Sequence, residues 1–177
     1  MLVGLKRGKV RVVPYQKAWA EEFEREKARI LKVCGSKVIV LEHIGSTSVP
    51  GLAAKPIIDI AVGIKKFKDA EKLIRPLNTI GYRFYKSFQR QRLFVAKGPD
   101  ERRTHYLHVM RYNGVKWKSD QLFRNYLRSH PTVAKQYGEL KRKLAKIYQE
   151  DRHAYSDKKD SFIKSVITQA NTGKTKF

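Results

Sequence analysis

Apolar positions along the chain change period several times, and each change marks an element. From Lys17 to about Gly35, the residues Trp19, Phe23, Ile30 and Leu31 return to one helical face, with Glu21, Glu22 and Glu24 in the early turns. Carboxylates there suit the positive end of a helix dipole. The pattern predicts a helix closing near Cys34–Gly35, with Trp19 as its core anchor. Lys37–Ile44 and Pro56–Ile64 (PIIDIAVGI) are short apolar runs of strand length. Phe67–Ile80 returns to helical spacing through Ala70, Leu73, Ile74 and Leu77, with Gly81 to close it and Pro76 set to kink or shorten it. Tyr82–Ser87, Arg92–Lys97 and His105–Tyr112 alternate as strands do, and in the last of these His105 and Leu107 share one face while Tyr106, His108 and Met110 share the other. The remainder is helical. Trp117, Leu122, Phe123, Tyr126 and Leu127 mark one helix, and Pro131 opens another through Val133, Tyr137, Leu140, Leu144, Ile147 and Tyr148. Ser156 is placed to cap a last one through Ile167. Lys9–Tyr15 reads as a short edge strand or arm, and the polar tail, about residues 171–177, as frayed. No repeat and no linker interrupts this order. It predicts a single α+β domain over residues 1–177, a mixed sheet flanked by helices with a helical C-terminal third.

The chemistry concentrates in Glu42–Val62, EHIGSTSVPGLAAKPIIDIAV. Asp59 stands among Ile, Ala and Val, and a carboxylate buried alone is costly, so it needs a partner. The turn before it, with Gly45, Ser46, Thr47 and Ser48, offers backbone N–H groups and hydroxyls to an anion, which points to a phosphate-handling site. Lys55 precedes Pro56 and either reaches that phosphate or stays solvated. Arg90 and Arg92 share one face of a predicted strand and suit a polyphosphate if that face borders the cleft. Glu42 and His43 are possible accessory groups, and His43 serves equally as a buried, hydrogen-bonded structural histidine. Asp59 itself has a plainer alternative, an ion pair with Lys55 or an arginine that only holds the sheet together.

Charge widens the picture. The chain carries 39 Lys and Arg against 16 Asp and Glu, a net charge of +23 over 177 residues, which draws phosphorylated metabolites, nucleotides or nucleic acid. Tyr82, Phe84, Tyr85 and Phe88 interleave with Arg83 and Lys86 in the manner of a stacking surface, although strands also use aromatic residues for packing. The single cysteine, Cys34, can form no internal disulfide. The N-terminal stretch lacks the apolar core of a secretory signal and no run approaches a membrane span, so a cytoplasmic protein without a membrane partner is expected. There is no zinc-ligand spacing, Walker-type loop or G-x-S-x-G elbow.

Gly45-Ser46, then twelve intervening residues, then Asp59-Ile60-Ala61-Val62 resembles the site outline of the nucleotidyltransferase superfamily. Over nearly its whole length, from VVPYQKAWAEEFEREKARI to DKKDSFI, the chain resembles the GrpB family of that superfamily, most strongly in EHIGSTSVPGLAAKPIIDIAVGI, with HYLHVM and FRNYLRSHPTVAKQYGELK in support. The resemblance implies a nucleotidyltransferase-like fold, a nucleotide or phosphorylated ligand at the Gly45-Ser46/Asp59 cleft, and Mg²⁺ held by Asp59 for nucleotidyl transfer. The sequence departs from active members at Ala61, where a second acid is expected. His108 would then complete the metal set, as a poor match for magnesium. Three readings compete: a transferase with Asp59 catalytic, a degenerate site that binds a nucleotide without chemistry, and a nucleic-acid- or protein-binding module on the same scaffold.

Overall fold

The computed structural model describes residues 3–85 and 91–173. Its centre is a five-stranded mixed sheet in the order β1-β2-β5-β4-β3. The strands are β1 (Val40–Ile44), β2 (Ile58–Ile64), β3 (Tyr82–Tyr85), β4 (Leu93–Lys97) and β5 (His105–Arg111). β2 runs parallel to β5, and the other pairs are antiparallel. β2 and β5, the parallel pair at the middle of the sheet, are buried almost throughout, which matches their near-continuous apolar sequence.

Register assigns side chains to faces. Asp59 pairs with Tyr106 and Ala61 with His108, so all four stand on one face with Glu42, which pairs with Ala61. Ile58, Ile60, His105 and Leu107 take the opposite face. That opposite face packs on α1 (Ala18–Cys34), whose Trp19, Phe23, Ile30 and Cys34 enter the main core with Leu73 and Leu77. Burial pushes the Cys34 thiol up to about 11, which suits packing rather than reactivity. The Asp59 face is partly covered by α3 (Val115–Ser129), whose Trp117 packs against Ile44, Ala61 and Met110. α4 (Pro131–Ile147) and α6 (Asp160–Thr172) extend this layer through Tyr137, Phe162 and Ile163.

Several boundaries differ from the sequence pattern. The first strand begins at Val40 rather than Lys37. Lys9–Tyr15 forms no strand, and its only pairing among the described residues is the isolated bridge Val13–Ala54. Phe67–Leu73 is 3₁₀ and only Ile74–Asn78 is α-helical (α2), which places Pro76 in the first turn, where its missing N–H costs nothing. Ser156 caps no helix. It lies inside α5 (Arg152–Asp157), whose cap is Asp151, accepting from the Ala154 N–H at 2.9 Å. Pro131 does open α4. Arg90, Lys86, Ser87, Phe88 and the last four residues of the tail lie outside the described residues. No helix among the described residues is long and apolar enough to cross a membrane.

Candidate functional site

A cavity of about 340 Å³ lies between the Asp59 face and the C-terminal helices. The chain enters it through Gly45, whose φ of +69° favours glycine, and a Cβ there would sit 2.8 Å from Asp59 Oδ2. The glycine thus allows the turn to pass against the carboxylate. A 3₁₀ turn, Ser46–Ser48, follows. Ser46 and Thr47 line the cavity, whereas the Ser48 hydroxyl turns back to donate to the Gly45 carbonyl at 2.6 Å. Ser48 therefore holds the turn rather than facing the cavity.

Asp59 has its partner, and it is a histidine. His108 Nε2 lies 2.9 Å from Asp59 Oδ1, and its Nδ1 is met by the Arg92 guanidinium. A guanidinium only donates, so Nδ1 accepts and the ring proton sits on Nε2, directed at Asp59. Burial and then the Arg92 charge lower the His108 pKa against the opposing pull of Asp59, which keeps this neutral tautomer. Burial alone would raise the Asp59 pKa, but the hydrogen bond from His108 and the positive charges of Lys55 and Arg92 bring it below its ordinary value. Asp59 is therefore ionised and oriented.

The rest of the cavity is basic. Lys55, Arg92, Lys141 and Lys159 line it with two carboxylates, Asp59 and Asp120. Lys55 and Lys159 both lie over the Tyr155 ring, at 5.5 and 4.1 Å from its centroid. Burial, then Arg152, lowers the Lys55 pKa to about 8. Burial, then the Lys55 charge, lowers that of Lys159 to about 7. Lys141 is 2% exposed and donates to the Ala53 carbonyl at 2.5 Å, so it fastens α4 beneath the turn.

Asp120, Lys141 and Lys159 escaped the sequence reading. Asp120 arrives from α3, where one oxygen pairs with Lys116 at 2.8 Å while Oδ2 is buried without a hydrogen-bond partner. A signal existed for two of them: Asp120 follows Trp117 by three positions, and Lys141 lies between Tyr137 and Leu144, so each sits on an apolar stripe.

Glu42 and His43 do not line this cavity. Glu42 stands on the Asp59 face but pairs with Arg124 at 2.7 Å, and Arg124 also donates to the His43 carbonyl. His43 points to the other face, stacked on Phe23 at 4.9 Å with Nε2 3.0 Å from Thr47 Oγ1. Burial lowers its pKa to about 4, so it is a neutral structural histidine.

The model of the GrpB protein family matches residues 9–169. The chain belongs to the GrpB family. It is 35% identical over 173 residues to the glutamate-rich protein GrpB of Alkalihalophilus pseudofirmus, covering 95% of this chain and 99% of that one. The crystal structure of the conserved protein GrpB from Enterococcus faecalis superposes with a TM-score of 0.83 at 38% identity, over 90% of this chain and 96% of that chain. The Cid1 poly(U) polymerase, in a mutant bound to MgATP, matches at a TM-score of 0.50 and 14% identity, over 76% of this chain and 44% of that one. This GrpB chain thus has the nucleotidyltransferase-like fold, a mixed sheet with flanking helices and a helical C-terminal part.

The donors beside Asp59 in this GrpB chain do not fit the magnesium that the sequence resemblance implies. Ala61 supplies no oxygen, Glu42 is tied to Arg124, and both His108 nitrogens are engaged, Nε2 by its own proton. Asp120 does not join Asp59 and His108 in a three-ligand cluster. His108 and Asp59 are brought together as expected, but as hydrogen-bond partners.

Proposed function

We propose that the protein binds a nucleotide or another phosphorylated ligand in the cavity beside Gly45-Ser46 and Asp59. The observation that carries this is the crowding of Lys55 and Lys159 around Tyr155, where neither makes an ion pair among the described residues and both have depressed pKa values. Two ammonium groups held together at a cost are relieved by an anion between them. Ser46 and the Gly45 turn then face the same anion, while the Thr47 hydroxyl is held by His43 and the Ile57 carbonyl, and Arg92 adds charge while orienting His108. Binding rather than transfer is the primary activity, because the cavity lacks the carboxylate set that paired metals require. Nucleotidyl transfer is the chemistry to test beside it.

Calorimetry with ATP, CTP, GTP and UTP, with and without Mg²⁺, tests the proposal. Affinity that falls in Lys55→Ala and Lys159→Ala supports it, and no heat with any nucleotide refutes it. Release of pyrophosphate in the same samples would establish transfer.

A nucleic-acid ligand is the second reading. A wider pocket of about 600 Å³ shares Arg92 and His108 with the first cavity and adds Arg103, Arg152, Tyr106 and Phe94. Arg152 lies 5.3 Å over the Tyr106 ring, an arrangement of cation and π-face that suits stacked bases and phosphates. Affinity for a short RNA that falls steeply with salt supports this reading, and salt-independent affinity refutes it.

A further inference from the structure

His105 lies on the sheet face opposite His108 and meets a different chemistry. Glu22 and Glu26 are one helical turn apart on α1 and both reach it, and one ligand atom from each of the three residues lies within 4.8 Å of the others. Glu26 is fully buried, and His105 is 3% exposed.

The histidine tautomer follows from its neighbours. The Thr104 hydroxyl donates to the Lys97 carbonyl at 3.4 Å, so it accepts from His105 Nδ1 at 3.0 Å. The ring proton is then on Nδ1, and Nε2 presents a lone pair. That nitrogen is buried without a hydrogen-bond partner, 3.6 Å from Glu22 Oε1. A lone pair aimed at carboxylate oxygens is repulsive unless a cation stands between them.

We infer that Glu22, Glu26 and His105 form a binding site for a divalent transition-metal ion of the Zn²⁺ class. One imidazole nitrogen with two carboxylates suits such an ion, and the hydrogen bond that holds the distal ring nitrogen is the usual support of a ligating histidine. The carboxylate atoms are partly committed: Glu26 Oε1 takes Lys97 at 2.7 Å, Glu26 Oε2 takes Arg29 at 3.3 Å, and Glu22 Oε2 takes Arg25 at 2.6 Å. Glu22 Oε1 faces the histidine. Lys97 is the resident competitor. Its side chain is 20% exposed and long enough to swing outward, and the Glu22 side chain, 24% exposed, marks the way in. This site is independent of the phosphate-binding cavity.

The test is Zn²⁺ titration of the metal-free full-length chain at neutral pH against a chromophoric chelator. One equivalent of bound Zn²⁺ is expected. Affinity should drop at least about tenfold in His105→Ala and in Glu22→Gln, and should rise in Lys97→Met, which removes the competing ammonium. Glu22→Gln keeps the test decisive if His105→Ala does not fold, because Glu22 is partly solvated. No bound Zn²⁺, affinity unchanged in Glu22→Gln, or affinity not raised in Lys97→Met would overturn the inference.

Discussion

The two faces of the sheet treat charge in opposite ways, although β5 contributes a histidine to each. Toward the cavity, cations outnumber carboxylates, Asp59 is 30% exposed on its side chain, and space remains beside it. Toward α1, a carboxylate is wholly buried, its charge is met by Lys97 and Arg29, and apolar packing surrounds the cluster. Charges that leave room between themselves suit a ligand as large as a phosphate, whereas charges that close on one another hold the fold and leave space for no more than a single ion. Side-chain alternation along a single strand separates the two.

The largest contrast should appear in stability. Glu26→Ala leaves Lys97 without its buried partner and should cost about 3–5 kcal/mol. Asp59→Asn should cost no more than about 1 kcal/mol, since the amide oxygen can still accept from His108 Nε2. Urea denaturation of both variants checks this, and equal losses would erase the distinction between the faces. Next comes Gly45→Ala, which forces a side chain into a left-handed conformation against Asp59 Oδ2 and should cost about 1–3 kcal/mol. Nucleotide binding should vanish in the same variant, as calorimetry would read. Lys159→Ala should weaken nucleotide binding about tenfold, or about 1.4 kcal/mol, without loss of thermal stability, because it removes a crowded like charge. A melting temperature that falls with affinity would make Lys159 structural.

The smallest effect concerns protons. Lys159 and Lys55 lose their protons near pH 7 and 8 in the free protein, and a bound phosphate raises both values. Binding above neutrality therefore takes up protons, and affinity falls as pH rises from about 7 to 9. Calorimetry in buffers of different ionisation enthalpy measures the uptake. Zero uptake would mean that the phosphate lies elsewhere. The same lysines bear on stability alone. Their folded pKa values lie below their ordinary value of 10.5, so the unfolded chain holds more protons between them, and the penalty they impose at neutral pH fades as pH rises toward 10.5.

The turn, β2 and β5 were legible because their information is local. Gly45, the carboxylate amid apolar residues and the alternation of HYLHVM all follow from neighbouring positions. The assignment of His105 and His108 to opposite faces followed from the same pleat and holds in the structure. The other half of the cavity was not legible, because Asp120, Lys141 and Lys159 reach it only when three separate helical segments dock. Lys159 stands in a run of charge, SDKKD, where sequence does not distinguish one lysine from the next. Glu26 left a signal that went unused: it falls on the apolar stripe between Phe23 and Ile30, three and four residues from each. An acid there is either destabilising or paired. The poor fit to magnesium was legible in part, at Ala61; what one dimension hid is that Arg92 fixes the His108 tautomer and consumes its lone pair.

Tyr155 is 1% exposed, yet it belongs to α5, a helix of only six residues between two turns. Its ring forms the wall over which both lysines stand. A phosphate that joins Lys55, next to the central sheet, to Lys159, at the start of α6, would rivet the end of the chain onto the strands. Amide protons of α5 and α6 should then exchange more slowly with ligand present, so occupancy of the cavity would be reported by the chain's C-terminal third.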